Sequence, residues 1–331
     1  MTGEPTRLAC FIPRRDHMDR IELKSYAKIN LCIDVKGVLE GGFHEVEMVM
    51  QQILLCDDIS VGWERGANQE LEIALKTNRR YLPVDERNLA YKAALLMKEQ
   101  FGGSIGGRLT INIKKRIPVA AGLAGGSGNG AAVLHAVNRL WKLDCSLVQL
   151  CETGALLGSD VPFCVMGQAA ENRPLRTVFD GDPLVCHCAL ATGRGTELRP
   201  LKGLKQHLVL SKPPISVSTA EVYKGIDSLE IPSRPDAAEM IEGLAQENLD
   251  LVKKNMINVL ENFTLKQYPI VVYTKNNIQN ACDPQAVLMS GSGPTVFGLC
   301  DGVGHSKAVC EKLKKINDES FWTRTTFDFD K

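Results

Sequence analysis

The sequence predicts a chain that mixes strands and helices over two domains, with a phosphate-binding loop near its middle. Its 331 residues are enough for two domains and a substantial core. Ala27, Ile29, Leu31, Ile33 and Val35 alternate onto one face, as in a strand. Val133, Leu134, Val137, Leu140 and Trp141 recur at helical spacing and form one apolar face. Just ahead of that helix, Gly122, Gly125, Gly126, Gly128 and Gly130 leave the backbone nearly bare and open positive-φ conformations. A side-chain-poor loop running into a helix N-terminus is an anion site, because free N–H groups and the helix dipole favour negative charge. The expected ligand is a phosphate chain.

The loop type follows by comparison. A Walker loop needs Lys then Ser or Thr, and there is no Lys from Ile117 to Arg139. Gly126, Gly128 and Ala131 match a dinucleotide G-x-G-x-x-A, but that loop follows its strand immediately. Here Lys114-Lys115-Arg116-Ile117-Pro118 separates it from a strand at 109–113. The competing reading is a plain glycine-rich turn. Pro118 ahead of the loop, and Ser127 and Asn129 at the helix entry, weigh against it. The basic run at Lys114 reads as a solvated strand end.

Lys plus Arg and Asp plus Glu both number 39, so net charge gives no support for a nucleic-acid partner. No apolar run approaches the roughly 18–20 residues that span a bilayer. The 11 cysteines are scattered, with only Cys186 and Cys188 close together. That is neither a disulfide framework nor a zinc site, and free, mostly buried thiols fit a reducing cytoplasm.

In chain order, residues 1–17 lack periodicity and an apolar h-region, and are expected to be a disordered extension. A strand starts at Ile21, and Lys28 and Asn30 share its second face. Gly41-Gly42-Phe43-His44 follows a turn. Short strands are expected at 46–50, 59–63 and 71–76, then a helix at 88–101 with Leu89, Ala93, Leu96 and Met97 inward. After the phosphate-loop helix, a second helix at 146–157 ends at Gly158, followed by Ser159-Asp160-Val161-Pro162-Phe163. Within 168–187, two β-prone runs flank Asp180-Gly181 and read as a hairpin, with a disordered segment as the alternative. The second half opens with a strand at 207–210, then helices at 236–244 and 249–254. Strands at 286–290 and 295–299 flank the tight turn Gly291-Ser292-Gly293-Pro294. A helix at 305–316 and a strand at 322–327 close the chain.

The stretch from Pro118 to Ala131 resembles the phosphate loop of the GHMP kinases, the superfamily of galactokinase, homoserine kinase and mevalonate kinase, whose form is P-x-x-x-G-L-x-S-S-A. The extended run G-L-x-G-G-S-S-N-A-A is similar to the branch that acts on 4-diphosphocytidyl-2-C-methyl-D-erythritol in the non-mevalonate isoprenoid pathway. The chain keeps Pro118, Gly122, Leu123, Gly125, Gly126, Ser127, Asn129 and Ala131. It departs at Gly128, usually Ser or Thr, and at Gly130, usually Ala. The same branch is resembled by S-Y-A-K-I-N-L at Ser25, by Gly41-Gly42-Phe43-His44 (usually D-G-Y-H), and by N-L-A-Y-K-A at Asn88. G-S-D-V-P at Gly158, A-L-A-T-G-R-G-T at Ala189, Thr219 with Tyr223, N-V-L-E at Asn258 and S-G-S-G-P at Ser290 complete the order.

The resemblance implies an α+β, two-domain GHMP kinase fold with the active site in the interdomain cleft. Residues 18–195 would be the ATP-binding domain, with 168–187 as an inserted excursion, and 196–331 the second domain. It implies ATP-dependent phosphorylation of the 2-hydroxyl of the cytidyl substrate, with Lys28 and Asp160 catalytic. Pro118, Val119, Ala120, Ala121, Gly122, Leu123, Ala124, Gly125, Gly126, Ser127, Gly128 and Asn88 would serve ATP. Asn30, Phe43, His44, Thr219, Tyr223, Gly291, Ser292 and Gly293 would serve the acceptor, the two rings and the imidazole holding cytosine. Mg²⁺ would arrive with ATP, without an assigned protein ligand. One alternative is a small-alcohol kinase such as homoserine kinase, against which Phe43, His44 and Tyr223 stand. Another is a non-catalytic ligand-binding relative, against which Lys28 and Asp160 stand. Restoring a hydroxyl at Gly128 is expected to raise catalytic efficiency with ATP and slightly stabilise the fold.

Overall fold

The computed structural model describes residues 19–327, so the extension expected at 1–17 lies outside the described residues. The first unit comprises β1 (Asp19–Val38), β2 (His44–Arg65), β3 (Leu71–Thr77), α1 (Leu89–Phe101), β4 (Gly107–Lys114), α2 (Gly125–Trp141), α3 (Leu147–Leu157), α4 (Val161–Glu171), α5 (Arg173–Arg176), β5 (Cys188–Thr192) and β6 (Glu197–Leu201). Its sheet runs β3-β4-β2-β5-β6, with β1 also paired to β2. The long β2 serves both β4, through Asp58 to Arg65, and β5, through Met48 to Gln51.

The second unit comprises β7 (His207–Lys212), α6 (Thr219–Ile226), α7 (Ala237–Ala245), α8 (Leu249–Lys254), α9 (Glu261–Gln267), α10 (Pro269–Gln279), β8 (Val287–Met289), β9 (Val296–Cys300), α11 (Val303–Leu313) and β10 (Glu319–Arg324). Its antiparallel sheet has the order β10-β7-β9-β8. The two units are stitched by main-chain bonds. Ile33 donates to the Ile257 carbonyl at 2.9 Å, and Val259 donates back to Ile33 at 3.1 Å.

The expected alternation in β1 becomes burial on both faces from Ala27 to Val35. Ala27, Ile29 and Leu31 pack with Leu208, Leu210 and Phe297 of the second sheet. Lys28 and Asn30 therefore face the other way, toward the start of α4. Apolar contact on one side and a polar pair on the other is what the strand period dictates.

Three sequence expectations need correction. The strands expected at 46–50 and 59–63 are one strand, β2. Its polar middle reads as a break, but tertiary partners satisfy it. Gln51 donates to the carbonyls of His187 and Thr326 and accepts from Leu204 N, and Asp57 accepts from Arg116 N and Ile117 N. The hairpin excursion expected at 168–187 is absent. Helix α4 runs through Gln168, α5 follows, and only the turn at Gly181 (φ 74°) survives of that reading. Gln168 and Asn172 are buried anchors: Gln168 Nε2 donates to Gly128 O at 2.8 Å, and Asn172 exchanges two bonds with the Lys24 backbone. Finally, β6 lies beyond residue 195 yet pairs with β5, so the first sheet continues to Leu201 and the crossing falls at 202–206.

Helix α2 is buried almost all round, not along one face. His135, on α2, has Nε2 2.9 Å from the Val165 carbonyl, and complete burial pushes its pKa down to about 4. The folded state keeps this ring neutral where the unfolded chain, at about 6.5, takes up a proton. Stability is therefore full above pH 6.5 and falls by roughly 3 kcal/mol as pH drops toward 4. Denaturant titrations at several pH values should show that slope flattened in His135→Gln. An unaltered slope would assign the acid sensitivity to other groups.

Candidate active site

The glycine-rich stretch divides into a short loop and the first turns of α2. Gly125, Gly126, Gly128 and Gly130 are all helical, so only Gly122 (φ 71°) uses the left-handed region expected of the run. Ala120 (φ 51°) and Ala124 (φ 54°) share that conformation. Neither Ser127 nor Asn129 caps the helix: Ala124 holds the N-cap position without a side-chain bond. The first turn of α2 therefore keeps its N–H groups for a ligand. Ala120 and Gly126 are exposed, while Pro118, Ala121 and Leu123 are buried as anchors; Val119 is half-buried.

Two contacts fix the loop. Lys28 N donates to Leu123 O at 3.2 Å, and Ser290 Oγ donates to Gly122 O at 2.9 Å. The approach at Gly122 is close enough that a Cβ there would lie 2.2 Å from Ser290 O. The S-G-S-G-P turn of the second unit thus abuts the phosphate loop of the first.

Beneath the loop lies a buried polar knot that the sequence reading missed. Lys115, taken as part of a solvated strand end, is buried and paired with Asp57. Asp57 also accepts from Arg116 N at 2.7 Å, Ile117 N at 2.9 Å and Asn129 Nδ2 at 2.9 Å. Asn129 Oδ1 accepts from Lys115, and its amide donates to Ser25 Oγ at 3.0 Å. Desolvation pulls the Lys115 ammonium below its usual range, opposed by Asp57.

Gly128 is packed rather than strained. A Cβ there would come 2.6 Å from Ser25 Oγ and 3.2 Å from Tyr26 O. The expectation that Gly128→Ser improves the protein is therefore reversed. It should cost about 1–3 kcal/mol and lower turnover by displacing the hydroxyl that Asn129 uses. Gly130→Ala meets only ordinary contacts, 3.4 Å or more, with Leu89 and should stabilise by up to about 1 kcal/mol. Melting of the two variants side by side tests this; wild-type stability in Gly128→Ser would refute the packing argument.

Between the units opens a cavity of about 810 Å³. Of the expected residues it is lined by Lys28, Asn30, Phe43, His44, Gly122, Ser127, Asp160, Thr219, Tyr223, Gly291 and Ser292. Gly293 is not among the lining residues; its peptide bond to Pro294 is cis. Asn88 is elsewhere engaged: it caps α1, accepting from Ala90 N at 3.0 Å and donating to Pro83 O at 2.8 Å. Its amide is occupied by the fold, and α1 reaches the loop instead through Leu89, which packs at Gly126 and Gly130.

In the cavity, Lys28 Nζ stands 3.6 Å from Asp160 Oδ2 and donates to Asn30 Oδ1 at 2.7 Å. Asn30 in turn reaches Met48 Sδ at 3.3 Å. Asp160 occupies the N-cap position of α4, where an Asp normally bonds a first-turn N–H. It makes no such bond, so its carboxylate is held for the cavity. Thr219 Oγ1 and Ser292 Oγ lie 3.0 Å apart, joining the two expected motifs of the second unit.

The aromatic groups line the same cavity. The rings of His44 and Tyr223 are 5.0 Å apart at 45°. Burial, then the nearby Asp160, raise the Tyr223 phenol, which stays protonated. Two residues here were not foreseen. Asp227 Oδ1 accepts from His44 Nε2 at 2.8 Å, and the Arg194 guanidinium covers the exposed Phe43 ring at 3.4 Å. Arg194 stood within A-L-A-T-G-R-G-T, a usable signal; Asp227 lies in no motif.

The chain matches the GHMP kinases N terminal domain over residues 88–168 and the GHMP kinases C terminal domain over 240–318. It is 43% identical over 299 residues to 4-diphosphocytidyl-2-C-methyl-D-erythritol kinase of Alkaliphilus metalliredigens, covering 89% of this chain and 93% of the relative. The enzyme of that name from Clostridium botulinum is 41% identical, covering 92% of this chain and 100% of the relative. A crystal structure of 4-(cytidine 5'-diphospho)-2C-methyl-D-erythritol kinase superposes with TM-score 0.72 at 26% identity, covering 93% of this chain and 100% of that one. Homoserine kinase from Cytophaga hutchinsonii shares the fold, with TM-score 0.64 at 17% identity over 97% and 98% of the two chains. No helix among the described residues is long and apolar enough to cross a membrane. With both domains matched, and relatives above 40% identity spanning nearly the whole chain, the chain belongs to the GHMP kinases, in the family of the 4-diphosphocytidyl-2-C-methyl-D-erythritol kinases.

Proposed function

We propose that this cleft transfers the γ-phosphoryl group of ATP to the 2-hydroxyl of 4-diphosphocytidyl-2-C-methyl-D-erythritol, in isoprenoid precursor synthesis. One observation carries the reading: the Lys28–Asp160 pair shares a single cavity with the His44–Tyr223 pair and the loop residues Gly122 and Ser127. Groups suited to phosphoryl transfer and groups suited to holding a base thus line one cleft.

Phosphoryl transfer asks the protein chiefly for positioning and charge stabilisation. The N–H groups of the Gly122–Ser127 stretch would cradle the ATP phosphates at the start of α2. Asp160 would take the acceptor proton as the new P–O bond forms, leaving ADP as the departing group. Lys28, buried and pointed at Asp160, would balance charge on the transferring oxygens. Thr219, Ser292 and Asn30 would orient the acceptor.

Magnesium fits this donor set. No group of three His, Cys or carboxylate side chains converges in the cleft among the described residues. Ser127, which lines the cavity, would hold the ion on the protein side, and ATP would bring the rest of its oxygen ligands. When bound, it neutralises phosphate charge.

The His44 Nε2 proton is committed to Asp227, which leaves Nδ1 as acceptor for the exocyclic amine of cytosine. Tyr223 offers its face to the ring. Tyr223→Ala should raise KM for the cytidyl substrate about five- to a hundredfold, with KM for ATP nearly unchanged, since base stacking contributes about 1–3 kcal/mol. An unchanged acceptor KM would remove Tyr223 from the site. The whole reading is tested by steady-state rates with ATP and a panel of acceptors. The cytidyl compound should exceed homoserine and mevalonate by orders of magnitude. Equal rates would favour a general small-alcohol kinase, and no rate with any acceptor a binding protein.

A further inference from the structure

We infer that Cys282, Cys300 and His305 form a second site, which takes one zinc-class divalent cation. The site lies in the second unit, where Cys282 follows α10, Cys300 ends β9 and His305 sits in the first turn of α11. None of the three lines the cleft.

One ligand atom from each residue lies within 4.8 Å of the other two. The two sulfurs are 3.8 Å apart. Two thiolates at about 2.3 Å from a tetrahedral zinc are separated by about 3.8 Å, whereas a disulfide requires about 2.05 Å. His305 Nε2 is 2.8 Å from the Ala281 carbonyl, which only accepts, so Nε2 carries the proton. The lone pair is therefore on Nδ1, where the Asp301 N–H donates at 3.3 Å, a bond that a metal ion would replace. A backbone carbonyl fixing the tautomer in this way is the outer support typical of a metal-bound histidine.

The fourth position falls to water, since the exposed Asp301 carboxylate, 3.5 Å from His305 Nδ1, does not converge with the other three. Two thiolates and an imidazole select zinc-like ions over magnesium. Binding releases the two thiol protons, so apparent affinity rises with pH. The cysteines stand 18 positions apart, which hides this group from any C-x-x-C reading.

The test uses full-length protein, reduced and stripped with a chelator, titrated with Co²⁺ alone. A thiolate-to-cobalt charge-transfer band should grow to one equivalent per chain and vanish when Zn²⁺ is added. In His305→Ala, a part-exposed position that should leave the fold intact, affinity should fall at least about tenfold. Kinase turnover with Mg²⁺ and ATP should be unchanged in that variant. Absence of the band, or a band equally strong in His305→Ala and Cys282→Ser, would overturn the proposal. The first result would leave a thiol–thiol contact in the core, the second would place the metal at other cysteines.

Discussion

Asp160→Asn is expected to lower kcat by about a hundred- to ten-thousandfold while leaving ATP affinity and stability close to wild type. The carboxylate is the acid–base group nearest Lys28, at 3.6 Å, and the cavity reaches it directly. Because the side chain makes no capping bond in α4, its replacement removes nothing that holds the helix. Function and stability can therefore be separated at this position, which is uncommon for an Asp at a helix start. Single-turnover rates and ATP binding, measured on the same preparation, decide the matter. Wild-type turnover would exclude Asp160 from the transfer step. A collapse in stability would mean that it supports the fold instead.

The largest effect on stability is expected from Asp57→Asn, about 3–5 kcal/mol. Asp57 is fully buried and is the counter-ion of the buried Lys115. Its other bonds go to the main chain at Arg116 and Ile117, just before the phosphate loop, and to Asn129, just after it. The carboxylate thus clamps both ends of the loop from below. Asparagine fills the space but leaves an ammonium in a low-dielectric pocket without its partner. A domain whose total stability is about 5–15 kcal/mol loses much of its margin. Denaturant unfolding should show the loss, with a rise in KM for ATP as the loop loosens. Asp57→Asn combined with Lys115→Met should recover part of the stability, because no unpaired charge remains. Additive losses in the double variant would contradict the pairing.

The legible part of the site was the part written in short local motifs. Lys28, Asn30, His44, Asp160, Thr219, Tyr223 and Ser292 were named from the sequence, and all of them line one cavity. Residue type and spacing sufficed, since each stood within a few positions of its motif partners. Asp57 was not legible, because nothing in Cys56-Asp57-Asp58 distinguishes a buried carboxylate from an exposed one. Its meaning comes from Lys115 and Asn129, both far away in sequence. The same holds for Asp227, which matters only through His44.

Fold errors have a similar origin. The glycines from Gly125 to Gly130 have poor intrinsic helix preference, yet they are helical because small residues let α2 approach β1 and α1 closely. At 168–187, local β-propensity lost to Gln168 and Asn172, whose side chains bond backbone groups far away in sequence. In both segments a tertiary contact overrode a local preference, and a single sequence carries little sign of such contacts.

The transfer itself is most directly tested by ³¹P NMR of full-length protein with Mg²⁺, ATP and 4-diphosphocytidyl-2-C-methyl-D-erythritol. A new phosphomonoester resonance coupled to the 2-position of the acceptor, growing in step with ADP, is expected. ADP without that phosphomonoester, or a phosphomonoester formed on homoserine or mevalonate but not on the cytidyl compound, would contradict it.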